Sequence, residues 1–150
     1  MHRFFPPPAV VLLVGFAMWL LARLLPGATV TVPGAGWLAL VIAVAAGAIM
    51  GLAAWALGRE RTTINPMRPE ESSALVDSGV FGWSRNPVYL ADALLLVAWA
   101  LYLGNLVAVL LVPVFVALIQ RFQIRPEERA LERSFGEQFR AYRRSVRRWI

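Results

Sequence analysis

Four apolar stretches, separated by two kinds of polar connection, organise this chain. Residues 9–25, AVVLLVGFAMWLLARLL, carry a single charge, Arg23, close enough to the end of the run to snorkel. Residues 26–36, PGATVTVPGAG, are uncharged and rich in turn formers. Residues 37–57 are apolar throughout, and their Gly47 and Gly51, four positions apart, offer a face for close helix approach. Polarity rises sharply over 58–86. The next apolar block, 88–119, would make about 48 Å of helix against a hydrocarbon core of about 30 Å. A turn at Gly104-Asn105 resolves that excess by dividing the block in two, and Pro113 is expected to kink the second half. The pattern predicts membrane helices over about 9–25, 37–57, 87–103 and 106–122, with a polar loop over 58–86. A cleaved signal peptide is the rival reading of the first run. It is disfavoured because three prolines precede the run and no small-x-small cleavage site follows it.

The end of the chain changes period and polarity. In PEERALERSFGEQFRAYRRSVRRWI, proline followed by Glu127 and Glu128 is a helix-start signal. Leu131, Phe135, Phe139, Tyr142, Val146 and Trp149 then recur at spacings of 4, 4, 3, 4 and 3, a helical stripe opposite an arginine-rich face. An amphipathic helix over about 127–147 is predicted, lying at the interface or folded against the bundle. The fold class is all-α integral membrane protein: four transmembrane helices plus a C-terminal amphipathic helix, in one domain over 1–150.

Composition supports this and removes several chemistries. The chain is 59% hydrophobic with a mean hydropathy of +0.61, more than a core of this size needs, so the surplus faces lipid. There is no cysteine and one histidine, His2. Disulfides, thiolate or histidine metal sites and histidine-dependent triads are therefore not expected, and no metal is.

The net charge of +6 comes entirely from arginine on the basic side, and nine of the fifteen arginines lie from Arg121 onward. In a chain of this hydropathy the basic tail reads as topology and headgroup attraction rather than nucleic-acid binding. The connections at 26–36 and 104–105 have no arginine, whereas the 58–86 segment has four. Both termini and both polar segments are thus expected on the cytoplasmic side, where they can build one site.

Candidate chemistry gathers around WSRNPVYLADALLLVAW, residues 83–99. Asn86 and Pro87 suit the N-cap and first turn of a helix, and Arg85 suits a headgroup phosphate. Tyr89 is ordinary at an interface. Asp92 is not, because an acid inside a membrane helix is costly; an ion pair and a substrate contact both remain open for it. Glu127 and Glu128 suit the positive end of a helix, and one of them can contact a cationic ligand.

In order, TTINPMRP, SALVDSGVFGWSRNPVYLA and the C-terminal segment resemble the integral-membrane methyltransferase family of isoprenylcysteine carboxyl methyltransferases and phosphatidylethanolamine N-methyltransferases, in its small bacterial branch. The likeness is carried by Leu75, Val76, Gly79, Phe81, Arg85, Asn86, Pro87 and Tyr89, and by Glu127, Glu128, Phe135, Gly136 and Tyr142. Asn86 stands where the isoprenylcysteine enzymes have histidine, and Phe81 and Phe139 stand where tyrosine is frequent.

The resemblance implies S-adenosylmethionine as methyl donor and a lipophilic acceptor: an isoprenylcysteine-like carboxylate, a phospholipid amine or a small thiol. It implies a cofactor site of Gly79, Phe81, Arg85, Asn86, Pro87, Tyr89, Glu127 and Glu128. Arg129 or Arg144 would orient an anionic acceptor, and the location would be the bacterial inner membrane. The alternative is a non-enzymatic four-helix membrane transporter or scaffold, for which Asp92 is the one intramembrane acid available.

Overall fold

The computed structural model describes residues 6–60 and 74–150, so the middle of the predicted polar loop, including TTINPMRP, lies outside the described residues. Those residues form helices and turns, with no strand among them. Helix α1 spans Pro7–Leu24, with proline in its first turn, where a missing N–H costs nothing. Helix α2 spans Ala35–Arg59 and α3 spans Pro87–Leu103. After the turn at Gly104 come α4, Leu106–Val109, and α5, Leu111–Ile119. A π-helical segment, Gln120–Ile124, joins α5 directly to α6, Arg125–Phe135, and α7 is Glu137–Ser145.

Among the described residues, three stretches are long and apolar enough to cross a membrane: Pro7–Leu24, Ala35–Arg59 and Leu106–Phe135. Helix α3, the fourth expected span, has 17 residues, about 25 Å of helix, and is shorter than a full hydrocarbon core. It is also the most enclosed. Ala91, Ala93, Leu96, Ala98 and Ala100 are buried on several sides of it.

Small residues decide how α2 meets α3. Ala39, Ala46, Ala53 and Ala56 form a buried seam on α2, facing the alanine-rich α3, and these two helices make the most extensive pairing in the fold. Without a water-driven hydrophobic effect between helices in lipid, such close backbone approach is what dispersion packing requires. The expected Gly47-Gly51 contact is not the one used: both glycines are exposed, with nothing within 4 Å of where a Cβ would sit. The helix turns its alanine face inward because the glycine pair lies off the seam set by Ala46 and Ala53. The core proper lies where α1, α3 and α5 converge on Met18, Leu96, Phe115 and Ile119.

The two arginine-free connections meet at one end of the bundle. Gly104 adopts φ +61°, and Asn105 caps α4 by accepting hydrogen bonds from the backbone of Val107 and Ala108, both at 3.1 Å. The Asn105 amide donates to the Leu25 carbonyl at 2.9 Å, and the Val30 N–H donates to the Gly104 carbonyl at 2.7 Å. A Cβ added at Gly104 would lie 2.7 Å from the Val30 carbonyl oxygen. Gly104→Ala is therefore expected to destabilise the protein by about 2 kcal/mol or more, through left-handed backbone strain plus this clash, read as a lowered thermal midpoint in detergent.

Two predicted breaks fall elsewhere. The interruption assigned to Pro113 occurs one turn earlier, at Leu110, because the proline ring and its missing N–H face the carbonyl four residues back, at Val109. Pro126 stands in the first turn of α6 with Glu127 and Glu128, as the sequence predicts, but no break precedes it. The chain stays helical through it, since the wider π turn at Gln120–Ile124 takes up the place where Pro126 would have bonded back to Phe122. The single amphipathic helix expected over 127–147 is instead broken at Gly136, whose φ 52°, ψ −118° is open to glycine alone without strain. That break folds α7 back, burying Phe139 and Tyr142 against the bundle, so the C-terminal stripe packs on protein.

Candidate active site

The polar end of the bundle brings together segments far apart in sequence. A 3-10 turn at Gly79–Gly82 leads into Ser84-Arg85-Asn86, and Pro87 then opens α3. Opposite stand Glu127 and Glu128, in the first turns of α6, carried up from the bundle by the unbroken helix below them. The C-terminal residues close over both. The Arg85 N–H donates to the Arg147 carbonyl at 3.0 Å, and the Trp149 indole donates to the Gln120 side chain at 3.1 Å.

Arg85 is no headgroup anchor. Its side chain is 8% exposed and meets Glu128 Oε1 at 3.0 Å, while Nη1 donates to the Arg143 carbonyl at 3.1 Å. Arg148 takes the same carboxylate in bidentate fashion, Nε to Oε1 at 3.0 Å and Nη2 to Oε2 at 2.7 Å. Burial pulls the Arg85 guanidinium below its ordinary value and Glu128 pushes it back up, whereas its hydrogen bonds to Glu128 raise Arg148. Among the described residues, Arg85 Nε is buried without a hydrogen-bond partner.

Asn86 occupies the N-cap position of α3, yet its side chain makes no capping bond. Its amide instead donates to the Arg148 carbonyl at 3.0 Å, and its backbone N–H donates to the Ser84 hydroxyl at 3.1 Å. The amide's bond to the Arg148 carbonyl ties the side chain to the C-terminal strap, and its oxygen is left off the first N–H groups of α3. Tyr142 donates to the Phe81 carbonyl at 2.6 Å, tying α7 to the Gly79–Gly82 turn, and burial raises its phenol above the ordinary range.

The two adjacent glutamates divide their work. Glu128 is consumed by Arg85 and Arg148. Glu127 accepts from the Tyr89 hydroxyl and has no arginine partner among the described residues. Neighbours on a helix point about 100° apart, so one faces the arginine cluster and the other faces α3. Tyr89 is itself 4% exposed, its ring in the core and its hydroxyl at the polar edge.

Of the residues singled out in the sequence, Arg85, Asn86, Pro87, Tyr89, Glu127 and Glu128 come together directly, and Gly79 and Phe81 adjoin them through Tyr142. Gly79 has φ +61° and open space where a Cβ would be. Arg129 and Arg144 do not join the cluster: Arg129 is exposed, and Arg144 pairs with Glu137 at 2.8 Å on the surface. Arg148, Ser84 and Trp149 were not legible beforehand. Nothing in the local sequence separates Arg148 from the eight other arginines of the tail. Among the described residues there is no group of His, Cys, Asp or Glu side chains that could hold a metal ion.

Comparison with known proteins places the chain in a family. A relative from Haemophilus influenzae, an uncharacterized protein, is 48% identical over 63 residues, 42% of this chain and the whole length of that relative. The family model described as phospholipid methyltransferase matches residues 35–138, more than two-thirds of the chain, and spans both the α3 start and the Glu127-Glu128 segment. With its apolar helices and this match, the chain is an integral membrane protein that belongs to the phospholipid methyltransferase family, a family of membrane methyltransferases.

Proposed function

We propose that the protein transfers a methyl group from S-adenosylmethionine to a lipophilic acceptor, at the polar end of the bundle and on the cytoplasmic side of a bacterial inner membrane. The observation that carries this reading is the spare carboxylate of Glu127, seated on the Tyr89 hydroxyl and free of any arginine among the described residues. S-adenosylmethionine presents a sulfonium, an ammonium and a carboxylate. Glu127 is the group suited to a positive centre, and the unsatisfied Arg85 Nε is a donor suited to the carboxylate. The open backbone at Gly79 allows close approach of a ligand. Glu128 has a different part, holding Arg85 and Arg148 in place.

When bound, the cofactor supplies an activated methyl group. What the chain contributes is orientation of the two reactants and exclusion of water, effects that supply much of the acceleration in such transfers. Tyr89 sets the Glu127 carboxylate, and the C-terminal strap covers the polar face. The acceptor, whether isoprenylcysteine-like carboxylate, phospholipid amine or small thiol, reaches the same place laterally between helices. Calorimetry of the folded, purified protein with S-adenosylmethionine tests the reading. Saturable one-to-one binding is expected, and its absence in every detergent and lipid that preserves the fold would sink the proposal. Methyl-label transfer into fractionated lipids, proteins and thiols identifies the acceptor.

A further inference from the structure

Asp92 is a buried acid that the cofactor site leaves unused. It lies on α3, five residues beyond Pro87, about 7.5 Å further into the bundle than the helix start. It is 8% exposed and, among the described residues, has neither a hydrogen-bond nor an ion-pair partner. Three residues separate it from Tyr89, so the two share a helix face, and its carboxylate is near enough to act electrostatically on the Tyr89 hydroxyl. The arginines of the polar end are committed elsewhere: Arg85 and Arg148 both hold Glu128. A buried acid at membrane depth, unpaired and flanked by small residues, is costly unless a cation completes it.

We propose that Asp92 is the seat for a protonated amine on the methyl acceptor, and the group to which that amine gives up its proton. The proposal rests on the methyltransferase reading above. An ammonium nitrogen has no lone pair and cannot attack a methyl group. On transfer, the N–H bond breaks, its electron pair stays on nitrogen, and a new O–H bond forms on the Asp92 carboxylate. Charge balances, because an ammonium and a carboxylate become a neutral amine and a neutral acid. Depth sets Asp92 apart from Glu127. Glu127 sits at the polar edge, suited to a water-soluble cofactor, whereas Asp92 lies on the bilayer side of Tyr89, where the headgroup of a lipid entering between helices arrives. Spare negative charge on that side favours an amine over a carboxylate acceptor.

The test uses the full chain in a neutral maltoside detergent, with thermal unfolding as readout. The probes are dodecylammonium, butylammonium, dodecanoate and S-adenosylhomocysteine. Wild type is expected to be stabilised saturably by dodecylammonium and not by dodecanoate. Asp92→Asn is expected to weaken dodecylammonium at least tenfold, to leave S-adenosylhomocysteine affinity within twofold, and to raise the ligand-free midpoint by removing an unpaired buried charge. With 15N-labelled dodecylamine, the bound resonance should move toward the neutral-amine position in wild type alone. Asp92→Glu, which keeps the charge, should retain the ammonium response and serves if Asp92→Asn does not fold. Equal response to butylammonium would make the source a soluble amine rather than a lipid headgroup.

Unchanged dodecylammonium affinity in a folded Asp92→Asn would overturn the proposal. So would a parallel loss of S-adenosylhomocysteine, which would put Asp92 on the cofactor wall, or a bound resonance that stays at the ammonium position. If wild type takes dodecylammonium through Asp92 yet never binds S-adenosylhomocysteine, the amine seat stands and the methyltransferase reading falls.

Discussion

Glu128→Ala is expected to destabilise the protein by about 3 kcal/mol, chiefly by stranding Arg85. The Arg85 side chain is 8% exposed and the Glu128 side chain 12%, so removing the carboxylate leaves a guanidinium buried without its counter-charge. Arg148, at 31% exposure, can turn to water and adds less. The loss spreads beyond the ion pair. Arg148 lends its backbone carbonyl to Ser84 and Asn86, so freeing its side chain loosens the strap over the start of α3. Thermal or denaturant unfolding in detergent measures this. The control is Arg85→Met with Glu128→Leu, which removes both charges and should be less destabilised than Glu128→Ala alone. If Glu128→Ala melts with the wild type, the cluster is no structural keystone.

Glu127→Ala is expected to do the reverse: leave the thermal midpoint within a few degrees and weaken S-adenosylmethionine about 100-fold. No arginine is stranded by its removal among the described residues, and truncating the half-buried Glu127 side chain leaves room for a water to replace the acceptor that Tyr89 loses. A charge-assisted contact to a cationic ligand contributes roughly 1.5–3 kcal/mol, which is about a tenfold to 100-fold range in affinity. Glu127→Gln keeps the acceptor for Tyr89 and removes the charge, so it should lose most of the same affinity. Calorimetry of the three proteins checks this. Equal affinities would remove Glu127 from the cofactor site and with it the main support for the proposed function. The contrast between adjacent glutamates is itself informative, since one side chain governs stability and the other governs binding.

The helices were legible because lipid makes their pattern simple. Apolar runs of near-spanning length, a Gly-Asn turn in an overlong block and arginine-free connections are readable residue by residue, and Asn105 capping α4 follows from local chemistry. The helix breaks were harder. Pro126 read as a start and does stand in the first turn of α6, but no break precedes it, because a π turn just before it keeps the chain helical. Gly136 fell inside the helix predicted over 127–147 and is the corner that folds α7 back. Periodicity reports which face is apolar; it does not report whether a glycine in the series will leave the helical region.

The candidate site was legible in its parts and not in their pairing. Arg85, Asn86, Tyr89, Glu127 and Glu128 stood out by residue type and by order along the chain. That Arg85 belongs to Glu128, and Tyr89 to Glu127, depends on how α6 rises beside α3. The sequence by itself determined an all-helical membrane chain with a basic, polar end, because hydropathy and arginine placement act locally and add along the chain. Only the tertiary structure decided which carboxylate is neutralised, which is spare, and that Arg148 and Trp149 close the site. Those outcomes turn on distances of about 3 Å between residues tens of positions apart, which chain order does not encode.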